Sequence, residues 1–261
     1  MRGLYLIPDR EHMEESLSLL ENYKGAYEYN DFFLAEVLDN PKRQKEIIDN
    51  YAKVRSDFSK DTMHGAFLDV TVHSSDSRIR EISELRVRQS MDIAKEMGLR
   101  GVVFHTNRLR GFRDAVYLKN WVSSNHDFFA RICEEYPRQQ IFMENMFDES
   151  PDMLAELAHQ MEEYANFGVC LDYAHASISG TNPEKWLKEL APYVRHMHIN
   201  DNDGINDLHL AVGSGDTDWK SFSAQIESYG IEASVLVEVS GLARQKDSLE
   251  YMKRHNIFPL C

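Results

Sequence analysis

The chain lacks the features that mark secreted and membrane proteins. It has three cysteines among 261 residues, Cys133, Cys170 and Cys261, and an odd number with no paired spacing gives no disulfide framework. No apolar run is long enough to span a bilayer, and residues 1–10 are too short for the core of a signal peptide. We therefore expect a cytoplasmic protein with no membrane partner.

Positive charge is also scarce. The chain has 43 acidic residues against 29 lysines and arginines, and its formal net charge is -14. Such a surface disfavours nucleic acid and anionic lipid as partners. One basic cluster, formed by Arg108, Arg110 and Arg113, leaves two interpretations open. It could bind a phosphate of a substrate or a DNA backbone, or it could pair with nearby acids.

Linkers and glycine-rich phosphate loops are absent as well. With 43% hydrophobic residues and no Pro- or Gly-rich break, the chain can form a single domain over residues 1–261. Its hydrophobic pattern contains eight strand-helix units, which is typical of a (β/α)8 TIM barrel in the α/β class. A doubly wound open sheet is the alternative, but it would more often have a Gly-rich loop after its first strand.

The unit boundaries follow from apolar runs, helical spacing and capping residues. Short apolar strands suit a parallel sheet that is covered on both faces. The predicted strands are residues 3–7, 26–29, 62–66, 101–105, 140–144, 169–172, 194–200 and 234–239. The predicted helices are residues 11–22, 41–58, 78–97, 116–136, 218–229 and 245–255, with two more that begin at 150–152 and 182–184.

Ionisable residues stand near the ends of seven predicted strands. In a TIM barrel these ends meet at one rim, where the reacting groups lie. Side chains two residues apart in a strand lie on the same face, so Glu144 shares the inward face with the apolar Phe142. The same spacing places the other strand-end acids on the inward face. Burying so many ionisable groups together is costly unless a cation compensates them, so we expect a bound divalent metal. The strand-end residues are Glu28, His64, His105, Glu144, Asp172, His198 and Glu238.

The loop that follows the seventh strand adds further donors. It is long, and it contains Asp207 and His209 two residues apart. Oxygen and nitrogen donors together suit zinc, manganese or cobalt. His175, three residues after Asp172, can point into the same barrel mouth.

Structural roles are preferred for some of these residues. We expect Glu28 to be structural and His196 to be a packed, hydrogen-bonded histidine one layer below His198. Metal binding is preferred for the set of Glu144, Asp172, His198 and Glu238. The remaining histidines are expected at the surface: His12, His73, His126, His159 and His255.

Five motifs resemble, in their order, the xylose-isomerase-like superfamily, and within it the sugar phosphate isomerase/epimerase group. They are Phe-Met-Glu144-Asn, Leu-Asp172-Tyr-Ala-His175, His198-Ile-Asn-Asp, Asp207-Leu-His209 and Leu-Val-Glu238, and the match spans the third to eighth strands.

The resemblance implies a metal-dependent sugar or sugar-phosphate isomerase or epimerase. Its metal could be Mn, Zn, Co or Mg, and there could be more than one ion. The metal would be held by Glu144, Asp172, His198 and Glu238. Glu144 and Glu238 would take and return a proton through an enediolate. The small-molecule sugar or sugar phosphate would contact His175, with His64, His105 and Arg108 as further candidates. A homo-oligomer is compatible with this interpretation.

The type IV apurinic endonucleases of the same superfamily are the rival. They hold three zinc ions with nine ligands, and all nine have counterparts here. Against this alternative, residues 30–40 contain three acids and no base, whereas a DNA enzyme needs basic loops. A barrel that only binds or senses a sugar is a third possibility. The nine counterparts are His64, His105, Glu144, Asp172, His175, His198, Asp207, His209 and Glu238.

Overall fold

Eight parallel strands close into a barrel in chain order, β1 to β8, in a computed structural model that describes residues 3–68 and 70–261. This confirms the predicted (β/α)8 TIM barrel. Met1, Arg2 and Asp69, which belong to the predicted domain, lie outside the described residues. The strands are β1 (Gly3–Leu6), β2 (Ala26–Tyr29), β3 (Thr62–His64), β4 (Gly101–His105), β5 (Gln140–Glu144), β6 (Phe167–Asp172), β7 (Val194–Ile199) and β8 (Ser234–Val237).

Helices cover the outside of the barrel. The predicted helix over residues 41–58 ends at Ala52, and two short helices, α2 and α7, were not predicted. Both lie directly after strands, where α7 carries His175. The helices are α1 (Met13–Asn22), α2 (Ala35–Leu38), α3 (Pro41–Ala52), α4 (Ser77–Met97), α5 (Ala115–Glu135), α6 (Asp152–Gln160), α7 (Tyr173–Ile178), α8 (Pro183–Leu190), α9 (Trp219–Ser228) and α10 (Leu242–His255).

Local sequence fixes several helix ends. The Asn40 side chain accepts a hydrogen bond from Arg43 N and caps α3, and the Asp218 side chain caps α9 in the same way. Gly98 ends α4 with a φ of 70°, a left-handed conformation that glycine adopts without strain. The helices pack on the barrel through the buried Trp121, Trp186 and Trp219, among other residues.

Strand register determines which side chains share the barrel mouth. His105 on β4 is paired with Glu144 on β5, and Asp172 on β6 is paired with His198 on β7. A register shift at Val169/Cys170 precedes the second pair. Below this layer, Val103, Phe142 and Cys170 form a small buried cluster inside the barrel. The register therefore places the ionisable residues together above an apolar filling.

The three cysteines are free thiols. Cys133 and Cys170 are buried, and Cys261 is exposed. Over residues 3–68 and 70–261, none of the helices combines the length and the apolar character needed to cross a membrane.

Candidate metal and active site

Glu144 lies at the centre of a group of histidines at the carboxyl ends of the strands. Its Oε2 is 3.2 Å from His105 Nε2, 3.3 Å from His198 Nδ1 and 3.6 Å from His64 Nε2. All four side chains are buried. Residues from β3, β4, β5 and β7 thus meet at one point, as the barrel geometry predicts for strand ends.

The donor atoms form groups small enough to hold an ion. Within each group, one donor atom per residue lies within 4.8 Å of the others. Three groups consist entirely of sequence-predicted residues, and they are linked because two share Glu144 and two share Asp172. These three are His64 with His105 and Glu144, Glu144 with Asp172 and His175, and Asp172 with His198 and Glu238.

Asp207 and His209 reach the same mouth from the loop after β7. His175 Nε2 lies 3.3 Å from Asp207 Oδ2, and His209 Nε2 lies 3.2 Å from the same oxygen. His209 Nδ1 is 3.7 Å from Glu238 Oε2. The loop therefore folds back over the strand ends and joins its two donors to the strand-end residues.

The donor set fits a divalent cation. Among the described residues, several buried atoms that face this cluster make no hydrogen bond, including both carboxylate oxygens of Glu144, Asp172 Oδ2, His198 Nδ1 and Glu238 Oε2. Unpaired buried acceptors are costly, and a shared cation would satisfy all of them. Mixed imidazole and carboxylate donors suit zinc, manganese and cobalt. Glu144, Asp172, His198 and Glu238 would hold such an ion.

The acids of the site differ in the direction in which their pKa is shifted. Burial acts to raise the pKa of Glu144, but His198 and His105 beside it hold that pKa well below its usual range. Burial dominates at Asp172 and raises its pKa to about 7. A hydrogen bond with Asp207 raises the pKa of His209 to about 10. Glu144 is thus ionised near neutral pH and available to a cation.

The cluster opens into a cavity of about 340 Å³ with aromatic walls. Phe67 packs edge-on against His64 and His105, and Phe147 packs against His175. Phe33 lines the cavity beside Phe67. These aromatic residues were not predicted, because an isolated Phe in a loop carries no local signal of what it will contact.

Comparison with known proteins supplies the family. A model of xylose isomerase-like TIM barrels matches residues 30–255, most of the chain. The chain belongs to this family.

Individual relatives support the same fold for this xylose isomerase-like protein. The uncharacterized protein MJ1311 of Methanocaldococcus jannaschii is 24% identical over 74% of this chain and 69% of its own length. The crystal structure of a D-tagatose 3-epimerase-like protein is 20% identical with a TM-score of 0.74 and covers 97% of each chain. The TTHB071 protein of Thermus thermophilus, soaked with ZnCl2, is 21% identical with a TM-score of 0.74 and covers 97% of this chain and 96% of that one.

Asn145 supports two of the candidate ligands of this xylose isomerase-like protein. Its Oδ1 accepts a hydrogen bond from Asp172 N, and its Nδ2 donates to Asp172 O, both at 2.9 Å. Its backbone carbonyl accepts from His175 Nδ1 at 2.9 Å. The other ring nitrogen of His175, Nε2, faces Asp207 Oδ2 at 3.3 Å. Asn145 was not predicted, although its place directly after a strand-end acid is a usable signal.

Asp201 holds the donor-bearing loop and was also missed. Its carboxylate accepts hydrogen bonds from Gly213 N, Thr217 N and Trp219 Nε1 at 2.8, 3.2 and 2.9 Å. The backbone of Asp201 also pairs with that of Leu210. These bonds close the loop and fix its two ends, so the segment between them carries Asp207 and His209 in an ordered conformation.

Arg108 lies outside this cavity, in a neighbouring groove. Its buried guanidinium is 3.5 Å from Glu149 Oε2, and Arg113 lies 3.1 Å from the other oxygen of the same carboxylate. Two arginines of the basic cluster thus pair with an acid, which is the second of the two interpretations that the sequence left open. Substrate binding by Arg108 stays a prediction.

The remaining histidines follow the sequence analysis with one exception. His12 and His159 are exposed, and His126 and His255 are half-buried. The prediction of a surface position for His73 is wrong, because this residue is buried against Tyr117 and Trp121. The helix that packs over it, α5, begins far along the chain, so local sequence could not reveal the contact.

Proposed function

We propose that the protein is a divalent-metal-dependent sugar or sugar-phosphate isomerase or epimerase. The observation that carries the proposal is the convergence of two glutamates on one histidine. His198 Nδ1 lies 3.3 Å from Glu144 Oε2 and 3.7 Å from Glu238 Oε2. One carboxylate comes from β5 and the other directly follows β8, so they approach the cavity from different parts of the barrel.

Paired carboxylates suit proton transfer at a carbon beside a carbonyl group. A bound divalent ion would supply the Lewis acidity that makes such a C–H bond acidic. Glu144 or Glu238 would remove the proton, and the other would return one to the same or the adjacent carbon. Both side chains line the cavity. His175, which also lines it, would hold a substrate hydroxyl in place.

The cavity favours a small substrate. Its volume of about 340 Å³ lies at the lower end of the range for small-molecule sites. Aromatic walls of the kind formed by Phe33, Phe67 and Phe147 can pack on the apolar face of a sugar ring. The fold likeness to a structure described as D-tagatose 3-epimerase-like supports the same substrate class.

Solvent-proton exchange tests the proposal directly. The metal-loaded protein is incubated in deuterated water with a panel of ketoses, aldoses and their phosphates, and deuterium incorporation is followed by NMR and mass spectrometry. We expect incorporation with at least one sugar, and a loss of about 10²- to 10⁴-fold in Glu144→Gln and in Glu238→Gln. Asp203→Asn is the matched control, because Asp203 is an exposed acid of the loop after β7. Equal rates in all four proteins would contradict the assigned roles.

A second candidate, phosphodiester hydrolysis, is favoured by the extent of the donor set. Asp207 and His209 join the other seven donors at the mouth, and three linked groups are the arrangement expected of several ions. Metal analysis and chelator-sensitive nicking of duplex DNA that contains an abasic site test this candidate. Three ions per chain with nicking and no deuterium exchange would replace the isomerase proposal. Tight sugar binding with neither activity would indicate a sensor.

A further inference from the structure

A buried carboxylate lies directly beneath the candidate metal site. Glu28 Oε1 is 3.0 Å from His198 Nε2, and Glu28 Oε2 is 3.1 Å from His196 Nε2. Thr62 Oγ1 donates a hydrogen bond of 2.7 Å to the same Oε2. The side chains of Glu28, His196 and His198 are completely buried. The opposite nitrogen of His198, Nδ1, faces Glu144 and Glu238.

We propose that Glu28 is a positioning residue that fixes the ring orientation of His198. Both ring nitrogens of His198 face carboxylates, Nε2 that of Glu28 and Nδ1 those of Glu144 and Glu238. A cation that took the Nδ1 lone pair would leave Nε2–H directed at Glu28. A metal-ligating imidazole whose other nitrogen donates to a carboxylate is held in place and becomes a stronger donor. The inference rests on the metal-binding part of the proposed function.

A chain of hydrogen bonds through the barrel interior determines how Glu28 itself is held. Arg100 Nη1 donates to Ser234 Oγ at 2.9 Å, and Ser234 Oγ lies 2.7 Å from His196 Nδ1. The single Ser234 hydroxyl proton has two acceptors within reach, His196 Nδ1 and the Arg195 carbonyl at 3.2 Å. Because the ionised carboxylate of Glu28 can only accept, His196 presents Nε2–H to it. His196 and Thr62 thus donate to Oε2 of Glu28, while its Oε1 faces His198 Nε2 at 3.0 Å.

The partners of Glu28 distinguish it from a carboxylate that only stabilises the fold. Over residues 3–68 and 70–261, its ion-pair partners are the two histidines. Another deeply buried carboxylate, that of Asp61, pairs instead with the guanidinium of Arg55 and accepts a hydrogen bond from Tyr29. Asp61 does not contact any candidate ligand, so it provides a matched control for the loss of a buried negative charge.

Two measurements on purified full-length protein test the role. Long-range proton–nitrogen NMR correlations of the metal-free protein report which histidine nitrogens carry protons, and zinc affinity is measured by competition with a chromophoric chelator. In Glu28→Ala we expect the His198 Nε2–H signal to lose its downfield shift and the Kd for zinc to rise about 10- to 100-fold. In Asp61→Asn the free energy of unfolding falls, but the His198 Nε2–H signal and the zinc affinity stay as in the wild type.

Glu28→Gln gives a second signature should the alanine variant fail to fold. The amide oxygen can still accept from His198, while the amide nitrogen donates to His196 Nε2, so the tautomer of His196 reverses and the His198 Nε2–H signal is kept. An unchanged His196 tautomer in Glu28→Gln, or a wild-type His198 Nε2–H signal and zinc affinity in folded Glu28→Ala, would overturn the inference. Failure of the wild type to bind zinc, manganese or cobalt would instead refute the proposed function, and the imidazole N–H signals would still be measurable.

Discussion

At the scale of the residue, burial alone makes His73 sensitive to acid. Its surroundings lower its pKa to about 4, because the charged imidazolium would lose its hydration. The unfolded chain, with an ordinary histidine pKa of about 6.5, therefore takes up the proton first as the pH falls. The stability that the neutral His73 contributes is present above pH 6.5 and is lost between about pH 6.5 and 4, by up to about 3 kcal/mol.

We expect His73→Leu to flatten this part of the stability profile. Leucine has a similar volume and cannot take up a proton, so the difference in unfolding free energy between variant and wild type should shift in favour of the variant from pH 7 to pH 4.5. Urea denaturation at both values measures it. His12→Gln, at an exposed position, serves as the control and should keep the wild-type pH dependence. Parallel profiles for His73→Leu and the wild type would contradict the assignment.

The sequence located the residues that gather at the barrel mouth better than the residues that support them. Glu144 and His198 could be located from the sequence, because the strand ends of a closed barrel meet at one rim. Asn145 and Asp201 act through hydrogen bonds to backbone atoms of other segments. Such bonds depend on tertiary contacts, which carry no periodic signal along the chain. The same limit explains why His73 was assigned to the surface.

At the scale of the element, the loop between β7 and α9 presents two of the nine candidate donors, Asp207 and His209. We expect Asp201→Ala to release this loop, since the carboxylate accepts hydrogen bonds from Gly213 N, Thr217 N and Trp219 Nε1. Amide hydrogen exchange in residues 202–217 should rise by at least about tenfold, and the unfolding free energy should fall by about 2 to 4 kcal/mol.

Asp216→Ala is the matched control for that loop, because Asp216 is an exposed acid in the same segment. It should leave hydrogen exchange and stability close to those of the wild type. Protection of residues 202–217 that survives in Asp201→Ala would show that other contacts order the loop.

Helices and strands were predictable to different degrees. Each strand of the barrel coincides with a predicted apolar run, within about two residues at each end. Helices α2 and α7 have four and six residues, which is too short for a 3.6-residue period to be recognised. The missed α7 matters for the site because its first turn directs His175 back toward Asp207.

At the scale of the whole molecule, barrel closure determined more of the site than any single motif. The eight strand-helix units predict that every strand end shares one rim, and the observed order β1 to β8 brings β5, β6, β7 and β8 side by side. Glu144, Asp172, His198 and Glu238 come from these strands or directly after them. The aromatic residues that limit the cavity come from loops, whose paths are set by packing and not by periodicity.

The concentration of buried donors at one end of the barrel links metal binding to folding. An ion that binds the folded state alone stabilises it by about 2.7 kcal/mol at a free concentration of 100 times its Kd. For a chain of this size we expect Tm to rise by roughly 5 to 10 °C with zinc or manganese and to return to the metal-free value after chelation. Glu144→Gln should reduce the shift strongly, because Glu144 belongs to two of the donor groups. Asp203→Asn should keep it. A melting temperature that zinc, manganese, cobalt and magnesium all leave unchanged would mean that the buried acids and histidines are balanced by one another, and not by a cation.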